Sequence, residues 1–220
     1  MSTLAEDLAL LLVDPTTGKP VVDGTAFDRA VAGALLFDLA GAERIAVTGT
    51  GAKARVAVVG GPTGNPLLDA AIDRLGPKER RAAGAVERLA KMRSAVFARL
   101  VDAGILTAER NRIFGLIPTT TWRFPDPGPR AALQGGLAAV LTAAAEPDAR
   151  QAALVSLLYA VKAEHKVVAG DRRALRARAK QVAEGDWAGS AVAQAVQAVQ
   201  ATVMAAVVAA TVAGAAAGGS

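Results

Sequence analysis

The chain has 220 residues, 52% of them hydrophobic and 20% charged, a globular composition that can build one sizeable core. A formal net charge of +5 invites an anionic partner, and the absence of cysteine excludes disulfides, thiolate catalysis and sulfur-ligated metals. Aromatic residues make up only 4% and alanine dominates, so the expected class is mainly α: a single compact helical domain with peripheral β-hairpins.

Residues 4–13 read as a first helix. Glu6 and Asp7 stand where a secretory signal would need basic residues, and Asp14 and Pro15 close the apolar run, so a cytosolic protein is expected. DPTTGKP supplies a turn. A second, central helix is expected from Thr25, with Asp28 completing a capping box, through GALLFDLAG to Gly41. On that helix Asp38 falls near Phe27, Val31 and Ala34, a partly buried carboxylate needing donors or a cation, with Arg93 one candidate. RIAVTG and RVAVVG alternate as the strands of a hairpin around TGAK, and GPTGNPLLDAAIDRLGP gives a turn, a short helix and a stop.

Residues 89–110, LAKMRSAVFARLVDAGILTAER, read as a basic amphipathic helix that stops at Gly104. Leu89, Val96, Phe97 and Leu100 share one side, and Arg88, Lys91 and Arg99 cluster opposite. Arg93 projects with the apolar group, where a guanidinium either pairs with a carboxylate at the core boundary or lines a pocket that takes an anion. Residues 105–110 and 112–117 read as a turn leading to a strand, and TTTWRF as the return arm of a second hairpin, ended by PDPGP. Ile113, Phe114, Leu116, Ile117 and Trp122 concentrate apolar area beside Arg110, Arg112 and Arg123. That mixture suits a membrane interface, and equally a dimer contact or a buried hairpin. Helical periodicity returns over 130–145, 151–169, 172–184 and 189–213. The uncharged run 201–218 is mostly alanine and glycine and reads as a core helix rather than a membrane span, with 214–220 a disordered tail.

His165 is the only histidine and reads as an exposed helix residue. GTGAK lacks the phosphate-loop spacing, no metal-ligand spacing occurs, and the usual nucleophile–base constellations are nearly impossible to assemble, although carboxylate or lysine chemistry, for instance through Asp38 and Arg93, stays open; no catalytic residue, metal or cofactor is expected. Both tryptophans lie far from the basic helix in sequence, so the aromatic interleaving of a single-strand surface is missing and a nucleic-acid partner is not expected.

LAEDLALLLVD, GALLFDLAG, GPTGNPLLDAAIDRL, RLVDAGILTAERNRIFGLIPTTTW and AAVVAA, in this order and spacing, resemble the Golgi phosphoprotein 3 family over most of the chain, with residues 1–213 as one such domain. The resemblance implies a mostly helical domain with a protruding hairpin and a basic pocket for the phosphatidylinositol 4-phosphate headgroup, and it implies no enzyme. In eukaryotic members that pocket uses a tryptophan, an arginine on the central helix and two arginines a turn apart on the basic helix. Here the second of that pair falls on Arg93 and the first on Ala90, beside Lys91; the tryptophan and the central-helix arginine fall near Asp23 and Ala32. The resemblance thus implies a peripheral protein on the cytosolic membrane face that binds anionic phospholipid through Arg93, Lys91, Arg88 and Arg29 and contacts the membrane with the second hairpin. The alternative is a scaffold that self-associates through that hairpin, its lipid pocket decayed. The Ala, Val, Arg and Gly bias suggests a bacterial member.

Overall fold

A computed structural model describes residues 2–49, 53–113 and 117–185, together with 204–205 and 207–208. Helix α1 (Leu4–Leu11) begins at Thr3, whose hydroxyl accepts from the Glu6 amide while Glu6 reaches back to the Thr3 amide, a reciprocal capping box. Every residue of α1 is buried, its two acids included. Glu6 pairs with Arg99 at 2.9 Å and Asp7 with Arg150 at 2.6 Å, so both buried carboxylates are neutralised by arginines from distant segments.

Helix α2 (Gly24–Gly41) packs against α1 and forms the centre of the core, with Phe27, Val31, Leu35, Leu36 and Leu39 fully buried. Its cap differs from the expected one: the Asp23 carboxylate, rather than Thr25, accepts from the Ala26 amide at 2.9 Å. Asp38 lies on the flank of α2 that meets the start of α1, and its two oxygens accept from the Leu4 and Ala5 amides at 2.8 and 3.1 Å. Its donors are therefore backbone groups at a helix N-terminus, and the expected pairing with Arg93 does not occur.

Strands β1 (Ile45–Thr48) and β2 (Arg55–Val58) form the first hairpin, with Ile45 opposite Val58. A third strand, β3 (Arg80–Arg81), extends it by pairing antiparallel with Arg55 and Val56. Between them runs α3 (Pro66–Leu75), capped by Asn65, with proline in its first turn and Gly76 at φ 68° after its end.

The expected continuous basic helix is two helices. Helix α4 (Ala82–Leu89) ends in a single 3₁₀ turn over Ala90–Met92, and α5 (Arg93–Asp102) starts afresh. The tighter turn rotates the helical face so that Met92 enters the core while Lys91 is exposed. After Gly104, strands β4 (Thr107–Ile113) and β5 (Ile117–Arg123) form the expected second hairpin with shifted arms: the first begins at Thr107, inside the stretch expected as a turn, and Ile117, expected to end that arm, opens the second. Its root is fastened to the DPTTGKP turn: the Trp122 amide donates to the Gly18 carbonyl at 2.9 Å and Arg123 donates to the Thr16 carbonyl. Gly18 has φ 67°, and a Cβ there would collide with the Trp122 backbone, so only glycine fits.

Helix α6 (Gly128–Leu141) brings a buried arginine under α1, where Arg130 Nε donates to the Leu10 and Val13 carbonyls and caps that helix's C-terminal end. The run 151–169 splits into α7 (Ala149–Ala160) and α8 (Glu164–Val167), and α9 (Arg172–Glu184) follows. His165 is half-buried rather than exposed. Within 189–213 the described residues are helical, with Met204 and Val207 buried; the rest of that segment and the tail 214–220 lie outside the described residues. Among the described residues no helix is long and apolar enough to cross a membrane.

Candidate lipid-headgroup site

The cations singled out by sequence occupy two neighbouring places. Arg88, in the last turn of α4, donates from Nη1 to the Arg74 carbonyl near the end of α3. Arg74, Glu87, Arg88 and Lys91 line a depression on this surface, three cations to one carboxylate. Glu87 is taken by Arg29 of α2, whose Nε lies 3.0 Å from it, so Arg29 is a positioning residue that offsets the single negative charge. Arg74 was not a candidate from sequence, because its helix reads as ordinary amphipathic structure. The one available signal is its place in the last turn, where a cation complements the helix C-terminus.

Arg93 does not line that depression. As the first residue of α5 it lies with its guanidinium carbon 4.3 Å from the centre of the Phe27 ring and 5.9 Å from that of Phe97, while Nη1 reaches Asp28 at 3.5 Å. Of the two roles open to it, pairing with a carboxylate at the core boundary is the one the geometry contains. The Asp28 carboxyl is held above its ordinary value by burial, against the pull of Arg93 and with a further push from Asp23. An anion approaching Arg93 therefore meets two carboxylates beside one cation.

The aromatic column continues beyond Arg93. Phe27 stacks on Phe97 with centroids 5.7 Å apart, and Phe97 on Trp122 at 4.1 Å and 8°. Trp122 is thus half-buried at the root of the second hairpin, where it joins β5 to α5, whereas Arg110 and Asn111 farther along β4 are exposed. Ile113 and Ile117 form the last described rung of the ladder; Phe114 and Leu116 lie outside the described residues.

A two-stranded arm and a basic depression on a helical core invite comparison with known families, and the family model for Golgi phosphoprotein 3 (GPP34) matches residues 4–199. The chain belongs to the Golgi phosphoprotein 3 family. No curated protein matches it. At the positions that the resemblance aligns with the family's headgroup contacts, this member carries Asp23 as the α2 cap, Ala32 fully buried, Ala90 in the 3₁₀ turn, and Arg93 clipped to Asp28. Among the described residues no group of histidine, aspartate and glutamate side chains could hold a metal ion.

Proposed function

We propose that this protein is a peripheral membrane protein that binds anionic phospholipid headgroups at the cytosolic membrane face, with phosphatidylinositol 4-phosphate the ligand suggested by its family. The observation that carries the reading is the depression formed by Arg74, Arg88 and Lys91, a convergence of three cations whose one carboxylate is already paired. Phosphate oxygens accept charge-assisted hydrogen bonds from guanidinium and ammonium groups, each contributing about 1.5–3 kcal/mol. Arg29 serves the site by holding Glu87, and Arg93 borders it as a clip between α2 and α5. The second hairpin would enter the interface through Ile113, Phe114, Leu116 and Ile117. Trp122 acts from behind by fixing the arm to the core. A bacterial origin would bring phosphatidylinositol and cardiolipin in as ligands alongside the phosphoinositide. The proposal assigns no catalytic step, cofactor or nucleic-acid partner.

The test is co-sedimentation with vesicles containing phosphatidylinositol 4-phosphate, phosphatidylinositol or cardiolipin, or neutral lipid alone, at low and physiological salt. Binding to anionic vesicles is expected to weaken at least about tenfold in Arg88→Gln/Lys91→Gln, as loss of two charge-assisted contacts requires, and to fall with salt. Binding that ignores lipid charge, or that survives the double substitution, would remove the site. A second reading is favoured by the arm itself: β4 and β5 form a sheet of two strands, and a sheet this small offers edges on which a second copy could pair. Concentration-dependent self-association lost on substitution of Ile117 by lysine would select that reading.

A further inference from the structure

A second cavity opens on another side of the core, where α1, α5, α6 and α7 meet. It has a volume of about 620 Å³, within the range of small-molecule sites. Its apolar wall is aliphatic, formed by Leu10, Leu100, Ile105, Leu133, Leu137 and Leu154, and no aromatic ring is among its lining residues. The space exists because α6 presents Ala132 and Gly136, one turn apart, toward it; a Cβ on Gly136 would already press on Gln151 at 3.2 Å.

The polar rim carries both signs. Arg99 donates from Nε to Glu6, and Arg150 donates from Nε and Nη2 to Asp7, so one nitrogen pair of Arg99 and Nη1 of Arg150 make no hydrogen bond among the described residues. Glu6 is saturated on its other oxygen by the Thr3 amide and hydroxyl, and Asp148 caps α7. What the rim has left to offer over the aliphatic wall is mainly guanidinium N–H. A flexible alkyl chain fills an aliphatic cavity without needing a stacking surface, and an anionic head accepts from two arginines.

We infer that this cavity binds a single-chain amphiphile with an anionic head, the chain along the leucine wall and the head at Arg99 and Arg150. The site is separate from the lipid-headgroup depression and stands or falls without it. Two arginines set among three carboxylates leave the rim one charge negative, so no long-range attraction draws the head in and it is held by direct hydrogen bonds alone.

Isothermal titration with octanoate, decanoate and dodecanoate, each below its micelle-forming concentration, tests the inference, with decanol as the neutral arm. Affinity is expected to rise roughly three- to fourfold per added methylene until the cavity is full. Decanol should bind about tenfold or more weakly than decanoate, and salt should change decanoate binding little. Ala132→Trp, an exposed position on the α6 face of the cavity, should block the series while leaving vesicle binding intact. Arg99→Gln should narrow the gap between decanoate and decanol. Failure of all three carboxylates to bind, equal binding of decanol, or full affinity in Ala132→Trp would each overturn the assignment. Arg88→Gln/Lys91→Gln should leave decanoate binding unchanged, which separates failure here from failure of the membrane reading.

Discussion

Replacing Asp38 by Asn tests which of two opposed forces governs the junction of α1 and α2. Burial pushes the Asp38 carboxyl from 3.8 up to about 6, against the pull of the Leu4 and Ala5 amides and of nearby Arg150. A carboxyl whose pKa is higher in the folded than in the unfolded state stabilises the fold in its protonated form. The contribution is complete below about pH 3.8 and is lost as pH rises through about 6. A rise of roughly two units, at about 1.36 kcal/mol per unit, amounts to about 3 kcal/mol, of which about 2 kcal/mol is lost between about pH 4.5 and 7.5. Glu6 acts in the other direction. Burial raises its carboxyl, but the hydrogen bonds from Thr3 and Arg99 prevail and hold it below its ordinary value, so its contribution is lost as pH falls. Subtracting the Asp38→Asn profile from that of the wild type cancels this and every other shared titration. Urea unfolding followed by circular dichroism should show the wild type losing about 2 kcal/mol relative to the variant from about pH 4.5 to 7.5. A flat difference would refute burial as the dominant force. A difference that grows in favour of the wild type as pH rises would show that the positive end of α1 outweighs it.

Trp122→Ala should cost about 2–3 kcal/mol, somewhat below a fully buried aromatic, and should accelerate amide exchange along β4 and β5 ahead of the helical core. Arg93→Ala should cost about 1–2 kcal/mol through loss of the Phe27 stack and of the Asp28 contact, and should move the Asp28 titration, followed by carboxyl NMR, to still higher pH. Arg93→Lys should recover only part of this, because an ammonium does not reproduce a planar guanidinium lying on a ring. Arg130→Ala leaves two carbonyls at the end of α1 without their donor and should lower unfolding stability by about 2–3 kcal/mol, measured as a shift in urea midpoint at unchanged slope.

The elements legible in the sequence are those with local chemistry of their own. Asn65 and Pro66 announce α3, Gly104 stops α5, and alternation with turn residues marks both hairpins. The missed features are decided by partners far along the chain. Strand β3 is two arginines with no strand pattern, recruited by the free edge of β2. The break after Leu89 is set by Met92 entering the core, and the break between α7 and α8 passes through Lys162 at φ 56°, a residue type that gives no warning of such a turn. The burial of Glu6 and Asp7 has no local signal, because their arginines lie 93 and 143 positions away. In the same way Arg74 joins Arg88 only because α3 and α4 pack together, whereas Arg93 was legible in part: a cation on an apolar face needed a carboxylate, but the partner is Asp28 and not Asp38.

Gly18 and Trp122 make the second hairpin a cantilever. The arm is bolted at its base by a backbone hydrogen bond and a contact too close for any side chain, and from there the ring of Trp122 carries the connection through Phe97 and Phe27 into the central helix. Load applied at the free end is therefore delivered to α2 and to the turn after α1 instead of being absorbed by a hinge. The inclination of the arm is thus set by the same joint that ties the turn after α1 to the core.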